Sequence, residues 1–487
     1  MRDKQKIIRE LSKGYAPQGE GAKPQIAKVY DLTFKPLVNS KKLEAFFELY
    51  GENEVIIKAW AFLGIYQILE KKSYATPENL ARLREIIIDI LNNNQSITFW
   101  SGSIKTETTL RQHHAKRISW LDPYFVFDPV FEYCKSSIGQ LDSVIGMLLE
   151  EVISKRSDEG VEELLIEHGK TAGQDNYEAK VQLIRAFENL AEISDLENRD
   201  AISPIFKHFL ERVKEKGEED FDVSIDEKKK RVLKDELIRI GAKLQLDMEA
   251  QILSFIESLD RPFNALNQIA ENYKDNEKFC KLLLEKLDTT KNRYFITDIL
   301  RAIVVVKNNI GNWKELVIDN VKKYELNDAD LIIDLNKANL LSEEMIVNYL
   351  TKGTQWHLEF IREFLTTHPE ILDKWDTLRE ELVKILKTFA DNEFQEKSGT
   401  LYYEKKRLAL RLIVDLKWNE MMDLALENFK KLSDDELKKI ALFAIITSRN
   451  NDILDKLRAI MDEDERTQSY VKQFWKYLEA RDWQFFY

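Results

Sequence analysis

Cysteine is nearly missing from this chain, with only Cys134 and Cys280 among 487 residues. Neither sits in a CxxC pair or a His/Cys cluster, so no zinc site can be assembled from them, and a reducing intracellular setting is expected. Glycine (16) and proline (9) are scarce for this length. The longest aliphatic stretches, such as Ala302 to Val306, fall far short of a membrane span, and the opening MRDKQKIIRE holds no hydrophobic segment of signal-peptide length. A cytoplasmic protein with no membrane partner is expected. Histidines spaced by four, as metal-binding helices use them, are lacking too, so neither a metal nor another cofactor is expected.

What is present favours helix. Charged residues make up 32% of the chain, and Lys, Glu, Leu and Ile dominate, a helix-forming composition. At 487 residues the chain exceeds one compact core and implies two or three domains, or one elongated array. The net charge of −12 is uneven. Residues 1–36 hold eight Lys/Arg against four Asp/Glu, and residues 101–120 hold four against one; these sum to +7 and leave −19 for the remainder. An acidic body repels phosphate backbones at long range.

Three regions follow. Residues 1–36 concentrate Gly14, Pro17, Gly19, Gly21, Pro24 and Pro36, and read as a flexible basic arm after a short helix. Residues 37–155 read as an N-terminal helical region. In it Leu43, Phe46, Phe47 and Tyr50 share a face, Ile56 to Leu69 is apolar on most sides, and Thr76-Pro77 caps a helix that stops at Asn92–Asn94. Within that region, residues 95–135 gather Phe99, Trp100, Trp120, Tyr124, Phe125, Phe127, Phe131 and Tyr133 around two Asp-Pro pairs and read as irregular. Asp128-Pro129 is expected to open a long helix toward Val152.

Residues 156–487 carry one-sided helical stripes, among them Leu183/Ala186/Phe187/Leu190, Ile252/Phe255/Ile256/Leu259, Ile296/Ile299/Leu300/Ile303 and Ala409/Leu412/Ile413/Leu416. Short turns separate them, including Asp260-Arg-Pro262, His368-Pro369 and a cap at Ser433, so successive helices should run antiparallel. The charged stretch Glu215 to Arg231 reads as a surface loop. At an offset of 32, Leu408-Ala409-Leu410 and Leu412-Ile413-Val414 fall on Ile440-Ala441-Leu442 and Ala444-Ile445-Ile446, with Lys406 on Lys438. Such self-similarity is the signature of stacked helical units.

With these residues the chain resembles HEAT-like and armadillo-like α-solenoids, most clearly over residues 403–461. The resemblance implies an all-α fold, a right-handed α-solenoid of antiparallel helix pairs, and a surface that works by contact. It carries no activity with it, because unrelated functions share this scaffold.

Candidate chemistry is sparse. Gly169-Lys170-Thr171 looks like the end of a phosphate-binding loop, but Leu164 stands where a glycine is required and the segment reads as helix. Arg111, His113, His114, Lys116, Arg117 and Trp120 crowd cations, imidazoles and an indole into one segment and suit an anion or phosphate contact, with the arginines as forked donors and Trp120 as a stacking surface. Asp122 and Asp128 read as turn or cap residues before a catalytic pair. The ending Trp483-Gln-Phe485-Phe486-Tyr487 should cap the last unit or dock on a partner. The expected function is a non-enzymatic scaffold with protein partners. The alternative is nucleic-acid or ribosome binding through the basic N-terminal segments. HEAT-like DNA glycosylases supply a third expectation, with Trp100, Trp120, Asp122 and Asp128 in the cleft. No catalytic residue is assigned.

Overall fold

The computed structural model describes residues 2–18, 24–173, 176–213, 225–388, 399–448 and 450–479. The fold is all-α with one small two-stranded sheet. The chain forms two compact units, Met1–Leu282 and Leu283–Tyr487, so the division falls within a helix, at neither 36 nor 155.

The first unit contains α1 (Arg2–Leu11), α2 (Pro24–Val29), α3 (Lys35–Asn39), α4 (Leu43–Tyr50), α5 (Val55–Leu69) and α6 (Pro77–Asn92). A hairpin follows, β1 (Ser96–Ser101) and β2 (Ile104–Thr109), then α7 (Leu110–Trp120), α8 (Pro123–Ser136), α9 (Ser143–Glu151) and α10 (Val161–Thr171). It continues with α11 (Tyr177–Ile193), α12 (Arg199–Arg212), α13 (Ile225–Lys243), α14 (Glu249–Ser258), α15 (Leu266–Tyr273) and the boundary helix α16 (Glu277–Thr289). Helices two apart in sequence pack together: α5 on α7, α7 on α9, α9 on α11, α11 on α13, α13 on α15, and likewise α6 on α8 and α10 on α12. Each expected stripe is the buried one, as in α11, where Leu183, Ala186 and Phe187 are fully covered. At Gly64 of α5 a Cβ would lie 2.3 Å from the Phe46 ring; α4 can seat there only because the side chain is missing.

Four expectations for this unit are corrected. The segment 1–36 is anchored where it is described. Leu11 and Tyr15 are fully buried, Trp60 Nε1 donates to the Gly14 carbonyl at 3.0 Å, and the Trp100 amide donates to the Tyr15 carbonyl at 2.9 Å. The same segment also buries Ala16, Val29 and Phe34, so several apolar side chains together with these main-chain bonds offset the entropy of ordering it despite the local breakers. Residues 95–135 are regular. Ser96–Thr109 is an antiparallel hairpin in which Ser101 pairs with Ile104, and Gly102 takes φ +59 in the two-residue turn, a conformation that favours glycine. Asp128-Pro129 opens no helix. Asp122 is the cap, accepting from the Tyr124 amide at 3.0 Å, and Pro129 lies inside α8, which ends at Ser136. Residues 225–231, placed in a loop by their charge, begin α13; the rest of that stretch lies outside the described residues.

The second unit contains α17 (Arg293–Val305), α18 (Trp313–Lys323), α19 (Ala329–Lys337), α20 (Glu343–Lys352), α21 (Gln355–Thr367) and α22 (Asp376–Lys387). Then come α23 (Gly399–Asp415), α24 (Met422–Lys431), α25 (Asp435–Thr447), α26 (Asn451–Glu463) and α27 (Glu465–Glu479). The alternation recurs, with α17 on α19, α20 on α22, α21 on α23, α22 on α24, α23 on α25 and α24 on α26. The cap of α25 is Asp434, whose carboxylate accepts from the Leu437 amide at 2.9 Å, one residue past the expected Ser433. The two self-similar stretches are α23 and α25, and they lie side by side.

A buried cation closes α22. The Lys406 ammonium of α23, wholly covered, donates to the carbonyls of Ile385, Leu386 and Thr388 at 2.8, 2.7 and 2.8 Å. Asn428 Nδ2 donates to Leu386 as well, at 2.9 Å. The last carbonyls of a helix have no partner within it and carry partial negative charge, so a donor cation suits that position.

Candidate functional site

The sequence-predicted cluster lies on α7, which Thr109 caps by accepting from the Gln112 amide at 3.1 Å. The helix brings the six residues into one element but turns them to different surroundings. Leu110, His114 and Ile118, spaced by four, are fully buried, so His114 belongs to the inward stripe. Its ring meets Phe62 edge-on at 4.9 Å, and both its nitrogens lack a hydrogen-bond partner. Arg111 forms a forked pair with Asp142 at 2.5 and 3.0 Å, and the same carboxylate caps α9 through the amides of Val144 and Ile145. Arg117 donates to His113 Nε2 at 3.0 Å and to the His113 carbonyl at 3.1 Å, and the Tyr15 hydroxyl stands 3.2 Å from the same nitrogen. Arginine has only donors to offer, so Nε2 is the accepting nitrogen and the ring proton belongs on Nδ1.

Burial, then the charge of Arg117, holds His113 down to about 3; burial also holds His114 well below the ordinary imidazole range, followed by the influence of His113 and Arg117. Both rings are neutral at pH 7 and offer a phosphate no charge. Lys116 and Trp120 remain on the outside, with the ammonium 5.1 Å from the indole centroid and Trp120 60% exposed. The phosphate grip expected of all six is thus split, with two arginines engaged inside the protein. The spacing 110/114/118 was the signal in the sequence that His114 faces inward.

Asp122 serves as a cap, and Asp128 sits mid-helix beside Arg84 at 3.8 Å; neither is placed as a catalytic pair. Gly169-Lys170-Thr171 ends α10, with Gly169 against Ile205. Trp483, Phe485, Phe486 and Tyr487 lie outside the described residues. Among the described residues no group of His, Cys, Asp and Glu is arranged to hold a metal ion.

A second site, missed in the sequence, flanks α21. Its first turn is fixed by His357, which accepts from the Thr354 amide at 2.9 Å; that leaves Nε2 to donate to the Asn327 carbonyl at 2.8 Å. Leu358, Ile361 and Leu365 face the core. On another face Trp356, Phe360 and Phe364 stack one turn apart, with centroids 5.7 and 6.0 Å apart and planes inclined by 16° and 14°. This ladder borders a groove of about 550 Å³ whose far side includes Ile333 and Lys337 of α19. On the other side of α21, facing α23, lies a groove of about 730 Å³ lined by Arg362, Arg407 and Arg411 together with Glu359, Glu363 and Glu404. Arg362 Nε donates to Asp415 at 2.7 Å. Arg407 stands 3.4 Å from Glu404 and 3.3 Å from Glu436, although its Nε makes no well-directed bond. Burial, then the neighbouring charges of Arg407 and Arg362, lower the Arg411 guanidinium from its ordinary value. The grooves are made by residues from α19, α21 and α23, so no contiguous motif announces them.

No family model matches the chain and no curated relative matches it. Among solved structures, a crystallised engineered protein is similar at a TM-score of 0.31 and 13% identity, covering 92% of this chain and 100% of that one. A likeness of that size carries no argument about fold or function.

Proposed function

We propose that this protein is a non-enzymatic scaffold of the cytoplasm that holds protein partners on the surface of a helical-repeat array, built as a right-handed α-solenoid of antiparallel helix pairs. What supports the array is the packing between many helices two apart in both units, such as α9 on α11, α11 on α13 and α23 on α25; stacked pairs create long ridged surfaces in which each unit meets only its neighbours. Two buried, unbridged thiols, Cys134 and Cys280, fit a reducing compartment. The observation that carries the binding role is the aromatic ladder of α21, with Trp356 at 36% exposure beside an open groove. Stacked aromatics at the edge of a concavity are what strong interface anchors are made of. Nucleic-acid binding through residues 1–36 and Arg111 to Trp120 has less support, because Arg111 and Arg117 are engaged with Asp142 and His113.

Purification from source cells with and without nuclease tests the reading. A protein partner that survives nuclease and is lost on Trp356→Ala with Phe360→Ala supports it. Loss of every partner to nuclease overturns it in favour of a nucleic-acid role.

A further inference from the structure

We propose that the groove between α21 and α23 is a carboxylate-binding site, with Arg411 as the ligating fork and Arg362 and Arg407, each held by its own carboxylates, flanking it. Arg407 and Arg411 are one turn apart on α23 and Arg362 faces them from α21, so three guanidinium groups share one groove of about 730 Å³. Like charges at that helical spacing oppose each other. Two of the three are offset, Arg362 by Asp415 and Arg407 by Glu404 and Glu436. Arg411 alone of the three has no ion pair: Asp415 and Glu436 act on it only from positions already committed to Arg362 and Arg407, and its Nε, like that of Arg407, is buried without a hydrogen-bond partner. A buried donor without an acceptor is costly, and a planar fork is matched by a two-oxygen anion.

The remaining groups define which anion. Glu359 and Glu363, exposed on α21, and Glu404 and Asp415 on α23 also line the groove. Their charge opposes a phosphate dianion more than a single carboxylate, since Coulomb repulsion scales with the ligand's charge. The inference goes beyond the scaffold reading, because a carboxylate can arrive on a polypeptide or on a free small acid.

The test uses the full chain with ¹⁵N-arginine labelling, following the Arg411 Nε–H resonance near pH 7 against acetate, a blocked Ala-Ala-Glu-Ala-Ala peptide and inorganic phosphate. Saturable movement with the carboxylate probes, weaker with phosphate, is the expected result. Tighter binding of the peptide than of acetate assigns the natural source to a polypeptide, and equal binding assigns it to a free acid; either supports the site. Phosphate binding more tightly than both carboxylates overturns the assignment, as does the absence of saturable movement in the folded protein. Arg411→Gln should abolish the response with the circular dichroism of the helices unchanged. Should that variant fail to fold, Glu359→Gln and Glu363→Gln decide the matter. Each removes a repelling charge from an exposed position and should tighten carboxylate binding by about twofold; weakened or unchanged binding in both refutes the site. A failed partner capture leaves these outcomes untouched, so the two readings fail separately.

Discussion

Helices α23 and α25 carry nearly the same apolar string, 32 residues apart, and lie against each other, yet their remaining positions do opposite things. Leu408, Ala409, Leu412 and Ile413 are buried in one, and Ile440, Ala441, Ala444 and Ile445 in the other. At the same offset, Lys406 corresponds to Lys438 and Arg411 to Phe443. Lys406 is wholly buried on three carbonyls, whereas Lys438 is half-buried. Arg411 faces a groove, whereas Phe443 is 3% exposed in the core. A repeated apolar stripe fixes which way a helix faces; its neighbours decide what the other positions become.

Exchanging the divergent residues should break the symmetry in one direction only. Phe443→Arg removes a core ring and buries an unpaired guanidinium, for an expected loss of about 4 kcal/mol or more in denaturant unfolding. A loss below about 1 kcal/mol would mean that α25 can open toward water as α23 does. Lys406→Met strands the three carbonyls at the end of α22 and should cost about 3 kcal/mol, while Lys438→Met should stay within about 0.5 kcal/mol. Equal effects of the two lysine variants would show that the buried contacts of Lys406 contribute no more than the surroundings of Lys438.

The pH dependence sharpens the same contrast. Burial brings the Lys406 ammonium down to about 7, against about 10.4 for a lysine in the unfolded chain. Between those values the unfolded chain binds more protons than the folded one, so the contribution of Lys406 rises with pH across that window. Lys406→Met should remove this rise from a stability profile measured from pH 7 to 10, and an unaltered slope would show that the carbonyls hold the charge in place. A small effect is also expected for Arg411→Phe, which places the α25 residue into α23. Relief of like-charge repulsion should offset the altered packing to within about 1 kcal/mol, while the response of the groove to acetate disappears.

The same contrast marks what could be read in advance. The stripe in α11 and the Thr76-Pro77 start of α6 were legible because they depend on residues within one helical turn of each other; Thr76 does accept from the Asn79 amide. The hairpin at Ser96–Thr109 had its own signal in Gly102-Ser103 between two strand-favouring runs, Ile97-Thr98-Phe99-Trp100 and the Thr-rich 104–109, obscured by the aromatics nearby. Tyr15 had none, since its burial depends on Trp60 and Trp100, far along the chain. The α7 cluster was legible only as a crowded run within a stretch read as irregular, and the engagement of Arg111 depends on Asp142, 31 residues away.

By itself the sequence determined the all-α class, the inward stripes and a few helix ends such as the Thr76-Pro77 start of α6, because periodicity, caps and breakers act over a few residues. Tertiary structure alone decided that Tyr15 anchors the first residues, that His113 and His114 are held neutral, that Lys406 closes a helix it does not belong to, and that Arg411 is left facing a groove. Each of these depends on a dielectric environment or a partner supplied by another helix, and neither is encoded in the residues next to it.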